Sequence, residues 1–210
     1  FGILYIKFLL NTKINDKDDI KKLLPSLPIA GEIPLMNKSE ETLIRKNSTE
    51  ALAESFRILR TNLNFMGLNK NDAKVIFVTS SMKGEGKTFT SMNLAATIST
   101  TRSKCLLVGA DLRNPQIHSF LDLDKNRAGL SKYLYDDSTQ LDELIINKPL
   151  SGFNLDVVLS GEIPPNPSEL LVSARFEEFL EEVKKEYEYI IVDTAPTILV
   201  TDTLLISRYA

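Results

Sequence analysis

A short apolar run that leads directly into a glycine-rich loop constrains the fold of this chain more than any other feature. Residues 74–80 are mostly apolar and rich in β-branched side chains, which is typical of a buried parallel strand. The glycine-rich segment at residues 80–88 follows, and residues 88–101, rich in Ala, Met, Leu and Ile, indicate a helix. The sequence therefore predicts a strand, a tight loop and a helix in direct succession.

Strands and helices alternate along most of the chain. Further apolar runs predict strands at residues 105–108, 155–159 and 189–192. An apolar stripe at helical spacing predicts a helix over about residues 50–66. In a chain of 210 residues this alternation indicates one α/β domain with a doubly wound, mainly parallel sheet flanked by helices. Ligands of such sheets bind beyond the carboxyl ends of the strands.

Another helix is expected to open at Asn166. This residue suits the N-cap, Pro167 suits the first helical position and Glu169 suits the third. Four apolar residues then continue the same face at helical spacing, namely Phe176, Phe179, Leu180 and Val183. The pattern predicts one helix that runs on through this face.

Charge and composition exclude several classes of function. A net charge of −3 gives no general attraction to nucleic acid or to an anionic membrane surface, so no nucleic-acid partner is expected. The single cysteine, Cys105, excludes an internal disulfide framework, and the single histidine, His118, excludes a His-rich metal site. Cys105 is expected to pack as a small apolar residue in a protein of a reducing, cytosolic compartment.

The glycine-rich loop has the composition of a phosphate site. Its glycines allow backbone N–H groups to close around phosphate oxygens, and the following helix adds the positive end of its dipole. Lys87 would span the β- and γ-phosphates and Thr88 would place its hydroxyl on Mg²⁺. The alternative is an ordinary glycine-rich turn with a surface lysine, and Ser81 stands where the usual loop begins with glycine. The predicted nucleotide-binding residues are Lys83, Gly84, Glu85, Gly86, Lys87, Thr88 and Phe89.

Two aspartates follow apolar strands. Asp111 comes after the run at residues 105–108, and Asp193 comes directly after the run at residues 189–192. In a parallel sheet both carboxylates would face the crevice above the loop, where a hard Mg²⁺ ion needs oxygen ligands. Each aspartate taken alone could equally be a cap or a turn residue. Taken together after the loop, Asp111, Asp193 and Thr88 predict a magnesium site.

The motifs resemble those of a known family. Residues 80–88, 110–118, 129–131, 160–171 and 189–196 are similar, in order and spacing, to the cytoplasmic domains of bacterial tyrosine kinases. The resemblance covers about residues 28–210. It implies a P-loop NTPase-like fold and an ATP-dependent protein-tyrosine kinase that autophosphorylates between subunits.

The resemblance also assigns roles to particular positions. Lys87 and Thr88 match the Walker A lysine and hydroxyl, Asp111 matches the second acid of Walker A′, and Asp193 matches the Walker B acid. It implies that Lys87, Asp111 and Asp193 are catalytic, with ATP and Mg²⁺ as cofactors. The place two residues before Asp111, which carries an acid in the family, is Gly109 here.

A further motif concerns assembly. Glu54, Arg57 and Arg60 match a family motif that links neighbouring subunits in a ring. From the residues alone they would be a solvated helix face, with a Glu54/Arg57 pair at i,i+3 that stabilises a helix by roughly 0.2–0.5 kcal/mol.

The resemblance suggests a larger parent protein. Residues 1–10 are nearly all apolar and make half a membrane span, and alone they would favour an amphipathic segment docked on the domain. The resemblance implies instead that residues 1–12 are the end of a truncated transmembrane helix. Residues 13–49 would form a juxtamembrane linker, and residues 50–210 a C-terminally truncated kinase domain. The implied partners are the tyrosine-rich tail of an adjacent subunit and the machinery that polymerises and exports capsular polysaccharide or exopolysaccharide, at the cytoplasmic face of the inner membrane.

Two other functions fit parts of the sequence. A partitioning-type ATPase shares this loop class, but its signature lysine, five residues before the loop lysine, is replaced here by Met82. A nucleotide-binding scaffold without kinase activity is the second alternative, and Gly109 in place of an acid is the feature that favours it.

Overall fold

The computed structural model describes residues 14, 16–36, 43–66, 72–101, 103–198 and 200–209. The apolar segment at residues 1–12, for which a membrane role was predicted, lies outside the described residues. Within the described ranges, none of the helices has both the length and the apolar character needed to cross a bilayer.

Four parallel strands form the centre of the molecule. Their bounds are β1 Lys74–Val78, β2 Cys105–Gly109, β3 Leu155–Val158 and β4 Tyr189–Asp193. The order across the sheet is β1-β4-β2-β3, so the last of the described strands lies between the first two. The predicted parallel sheet is confirmed, with boundaries within two residues of the sequence pattern.

Helices cover the sheet, and the helices predicted over about residues 50–66 and 88–101 are both present. Their bounds are α1 Lys17–Leu23, α2 Ala51–Phe65, α3 Lys87–Ser99, α4 Ile117–Phe120, α5 Leu130–Tyr135, α6 Pro167–Leu171, α7 Ala174–Val183 and α8 Asp202–Ile206. Short 3₁₀ turns lie at Leu141–Glu143 and Ser207–Tyr209.

Side chains alternate between two apolar layers, one on each face of the sheet. Along β2, Leu106 and Val108 join the layer that contains α7, whereas Cys105 and Leu107 join the layer that contains α2 and α3. Burial of each such aliphatic side chain stabilises the fold by roughly 1.5–3 kcal/mol. This double layer confirms the doubly wound architecture, and Cys105 packs in the core as expected.

The helix predicted to run on from Asn166 is two helices. Asn166 is the N-cap and Pro167 the first residue of α6, as expected, but Ser173 adopts an extended conformation and begins α7 as a new helix. The Ser173 hydroxyl donates to the Leu170 carbonyl at 2.7 Å. A serine that bonds to the preceding turn interrupts a helix that the apolar periodicity alone continues.

The segment before α2 packs against the sheet layer. It contains the short helix α1, and Ile33 and Ile44 pack against the layer of α2 and α3. Ile44 N–H donates to Asn93 Oδ1 at 2.9 Å. The described part of the predicted linker therefore packs against the domain. The boundary between linker and domain at residue 50 stays a prediction.

Candidate active site

A crevice opens at the carboxyl edge of the sheet, with a volume of about 320 Å³. The loop between β1 and α3 forms one wall, and the segments that follow β2 and β4 form the others. The register aligns Asp193 with Val78 and with Gly109, so the ends of three neighbouring strands meet here. The side chains that line it include Lys83, Lys87, Thr88, Phe89, Asp111, Arg113, Asn114, Gln116, Phe120, Pro196 and Val200.

The loop backbone presents unpaired donors to this crevice. Gly84 and Gly86 both have φ of 92°, a left-handed conformation that favours glycine. The N–H groups of Lys83, Gly84 and Gly86 donate to no acceptor in the described part of the chain, and the first backbone bond of α3 comes from Thr90 N–H. Unpaired N–H groups at the start of a helix form a site for anions.

Lys87 lies between the two aspartates that follow β2 and β4. Its Nζ is 2.8 Å from Asp111 Oδ2 and 3.9 Å from Asp193 Oδ1, and all three side chains are at least nine-tenths buried. Lys87 Nζ also lies 3.4 Å from Thr88 Oγ1. The four side chains that the sequence predicted to act together therefore meet at one point.

Two hydroxyls of α3 hold Asp193. Thr88 Oγ1 donates to Asp193 Oδ2 at 2.8 Å, and Ser91 Oγ donates to Asp193 Oδ1 at 3.1 Å. Burial raises the pKa of Asp193 to about 6, although Lys87 and the two hydroxyls act in the opposite direction. Sequence reasoning missed Ser91, yet its place one helical turn after Lys87 and Thr88 puts it on the same face of α3.

Asp111 uses its two oxygens differently. Asp111 Oδ1 accepts the N–H groups of Arg113 and Asn114 at 3.2 and 2.9 Å. The 2.8 Å contact from Lys87 to Asp111 Oδ2 is an ion pair without hydrogen-bond geometry, so Oδ2 is a buried oxygen that accepts no hydrogen bond. A buried carboxylate oxygen left in this way has free capacity for a further ligand.

These residues fit a magnesium ion. The described residues contain no group of three or more His, Cys, Asp or Glu side chains that could enclose a metal. Mg²⁺ requires less protein, because it keeps several waters and is held by one or two carboxylates together with phosphate oxygens. Asp111 Oδ2, the neighbouring Asp193 and the Thr88 hydroxyl supply such a donor set.

Comparisons with known proteins agree with this site. A family model described as an AAA domain matches residues 73–209. The putative tyrosine-protein kinase CapB of Staphylococcus aureus is 32% identical over 177 residues, which cover 82% of this chain and 75% of that protein. The chain belongs to the bacterial tyrosine kinase family.

Solved structures of tyrosine kinases share the fold. The chimerical protein CapA2B2 is 34% identical with a TM-score of 0.81, over 92% of this chain and 81% of that one. The kinase domain of the Escherichia coli tyrosine kinase ETK is 29% identical with a TM-score of 0.79, over 92% and 77%. The fold is therefore that of a P-loop NTPase-like kinase domain.

Some relatives in this kinase family are much longer. A putative tyrosine-protein kinase in the cps region of Klebsiella pneumoniae is 32% identical over 99% of this chain, which spans 30% of that protein. The chain therefore corresponds to less than a third of the length of that relative.

A further ion pair borders the crevice, and no sequence signal pointed to it. Arg113 Nε donates to Asp202 Oδ2 at 2.7 Å, and Arg113 also donates to Ser168 Oγ at 2.8 Å. Ser168 Oγ in turn donates to Asp202 Oδ1 at 2.7 Å. This network ties the segment after Asp111 to the starts of α6 and α8, and only the fold brings its members together.

Gly109, at the position of the kinase family's additional acid, is closely packed. A Cβ atom at this position would lie 2.8 Å from the backbone nitrogen of Ser160 and 2.5 Å from its Oγ. Side chains larger than hydrogen therefore require the segment after β3 to move. Among the described residues, Asp111 lines the crevice, and Asp193 accepts hydrogen bonds from Thr88 and Ser91 of α3.

The motif that the family uses between subunits lies on α2, away from the crevice. Glu54 and Arg57 form an exposed ion pair at 2.9 Å, and Arg60 donates to the Thr97 carbonyl near the end of α3 at 3.1 Å. The interface role of these three residues stays a prediction.

Proposed function

We propose that this chain is the catalytic domain of an ATP-dependent protein-tyrosine kinase that phosphorylates tyrosines of neighbouring subunits. The observation that carries the proposal is the buried cluster of Lys87, Asp111 and Asp193 beside a loop with unpaired N–H groups. Membership of the bacterial tyrosine kinase family supports the choice of acceptor.

In this mechanism the loop N–H groups and Lys87 bind the triphosphate. Thr88, Asp111 and Asp193 would hold Mg²⁺, which neutralises phosphate charge when bound. Lys87 stabilises the negative charge that develops on the transferred phosphoryl group. The tyrosine oxygen forms its bond to phosphorus while the bond to the ADP oxygen breaks.

Asp111 is the proposed acceptor of the tyrosine proton. In the described structure its Oδ2 is held only by the Lys87 ammonium at 2.8 Å, whereas both oxygens of Asp193 accept hydroxyl hydrogen bonds. With Gly109 in place of the additional family acid, Asp111 is the one carboxylate among the described residues that line the crevice. The base role therefore falls on Asp111.

The cellular role follows from the family. We propose that the parent protein is anchored in the inner membrane by a transmembrane helix that ends in residues 1–12, with residues 13–49 as linker and residues 50–210 as kinase domain on the cytoplasmic side. Glu54, Arg57 and Arg60 would join subunits into a ring, so that each presents its tyrosine-rich tail to the next. Phosphorylation would then regulate polymerisation and export of a capsular polysaccharide or exopolysaccharide.

Phosphoryl transfer to full-length partner subunits tests the proposal. Lys87→Met should abolish phosphotyrosine formation, whereas Lys104→Met, an exposed lysine paired with Glu186, should leave it unchanged. Phosphotyrosine and released inorganic phosphate are measured together. Phosphate release without phosphotyrosine would indicate the partitioning-type ATPase, and nucleotide binding without either product would indicate a scaffold.

A further inference from the structure

The Glu85 side chain bonds to its own loop. Its Oε2 accepts the N–H groups of Ser81 at 2.7 Å and of Met82 at 3.0 Å. Glu85 does not line the crevice, although the residues on either side of it do. The carboxylate therefore faces the start of the loop rather than the predicted phosphates.

The start of the loop is also held from the other side. The Ser80 carbonyl accepts Thr197 N–H at 2.9 Å, and the Ser81 carbonyl accepts Ile198 N–H at 3.2 Å. Ser81 is thus bonded through both its N–H and its C=O group. Glu85 completes an arrangement that fixes this end of the loop to the segment after β4.

A negative charge is unexpected in a loop that binds phosphate. An unconstrained carboxylate here would repel a triphosphate and compete for the loop N–H groups. The two N–H groups that donate to Oε2 hold the carboxylate away from the predicted phosphate position. A glutamate in a capping box accepts a backbone N–H at a helix start in a similar way. The useful property of Glu85 is therefore its acceptor oxygen.

We propose that Glu85 is a positioning residue whose acceptor oxygen closes the first half of the loop and holds the N–H groups of Lys83, Gly84 and Gly86 in place. Its negative charge is dispensable. The proposal rests on the proposed nucleotide-binding function of the loop.

Two variants separate the acceptor from the charge. Glu85→Gln keeps an oxygen that can accept both N–H groups and removes the charge, whereas Glu85→Ala removes both. Binding of a non-hydrolysable ATP analogue with Mg²⁺ should be as tight or tighter in Glu85→Gln and about tenfold weaker in Glu85→Ala. Glu162→Ala, an exposed acid elsewhere at this edge of the sheet, is the control and should bind like the parent.

Amide hydrogen exchange without added nucleotide gives an independent measurement. Ser81 and Met82 N–H groups should be protected in the parent and in Glu85→Gln, and should exchange faster in Glu85→Ala, with thermal unfolding used to verify that each variant folds. The proposal is overturned if Glu85→Gln loses protection and affinity as Glu85→Ala does, or if Glu85→Ala retains both. A parent that shows this exchange pattern but binds no nucleotide would refute the proposed function and leave the loop arrangement supported.

Discussion

Asp156 and Asp193 are both buried in the parallel sheet, one near the start of β3 and the other at the end of β4. Asp156 is held by neutral donors, since Tyr187 OH and Lys148 N–H each donate to one of its oxygens at 3.0 Å. Asp193 is held by two hydroxyls and faces the ammonium of Lys87. The two ends of one sheet thus stabilise a buried acid in different ways.

The different partners of Asp156 and Asp193 indicate a structural role for one acid and a chemical role for the other. The partners of Asp156 are the backbone N–H of Lys148 and the hydroxyl of Tyr187, whose side chain is buried and cannot withdraw without local unfolding. Lys87 has a long side chain and shares its charge between Asp111 and Asp193, so the same acids can exchange that cation for another ligand. A buried acid beside a removable cation is suited to catalysis, and one with fixed donors is suited to structure.

The largest expected effect is on phosphoryl transfer. Asp193→Asn should lower the rate by about 10²–10³-fold, because a proposed Mg²⁺ ligand that also faces Lys87 loses its negative charge. Asp156→Asn is the matched control at the other end of the sheet and should retain the rate of the parent per folded molecule. Initial rates of phosphotyrosine formation at saturating ATP measure both, and equal losses would remove the distinction between the two ends.

The next effect is on stability. Asp156→Ala leaves Tyr187 OH and Lys148 N–H without their acceptor and should lower the free energy of unfolding by about 3 kcal/mol. Asp137→Ala is the control, because this aspartate side chain is 97% exposed. It should change the free energy of unfolding by less than about 0.5 kcal/mol. Urea unfolding gives both values. A stable Asp156→Ala protein would show that this end of the sheet does not depend on the buried acid.

The smallest effect is a pH dependence of stability that comes from Asp193. Because burial raises its pKa to about 6, the folded protein keeps this proton while the unfolded chain releases it near pH 4. The unfolded chain then binds fewer protons, so the free energy of unfolding falls by about 2 kcal/mol between pH 4 and pH 6. Unfolding curves across this interval should show the decline in the parent and a flatter profile in Asp193→Asn. Identical stability profiles of the parent and Asp193→Asn would contradict the assignment of this pH dependence to Asp193.

Much of the fold and the centre of the site could be predicted because their signals are local. Apolar runs predicted the four described strands. A parallel sheet brings the carboxyl ends of its strands to one edge. Residues that follow strands, such as Asp111 and Asp193, were therefore expected to lie close together. Lys87 and Thr88 were placed by the loop that joins β1 to α3. Periodicity failed at Ser173, where one side-chain hydrogen bond ends a helix.

The remaining features depend on contacts between distant parts of the chain. Asp202 bonds to Arg113, and Tyr187 bonds to Asp156, but neither pair has a sequence signal that connects its members. The packing of Ser160 against Gly109 likewise follows from the neighbouring positions of β2 and β3. Such pairs are defined by tertiary packing and are visible only once the sheet order is known.

The strand order has a consequence for synthesis of the chain. β4 leaves the ribosome after the other three described strands, yet it pairs with both β1 and β2. Until residues 189–193 emerge, β1 has no neighbour in the described sheet. The nascent chain then contains an unpaired β1 and a separate pair formed by β2 and β3. Closure of the sheet delivers Asp193 to Lys87 in the same event, so the cluster that we propose to be catalytic is assembled only when translation has passed β4.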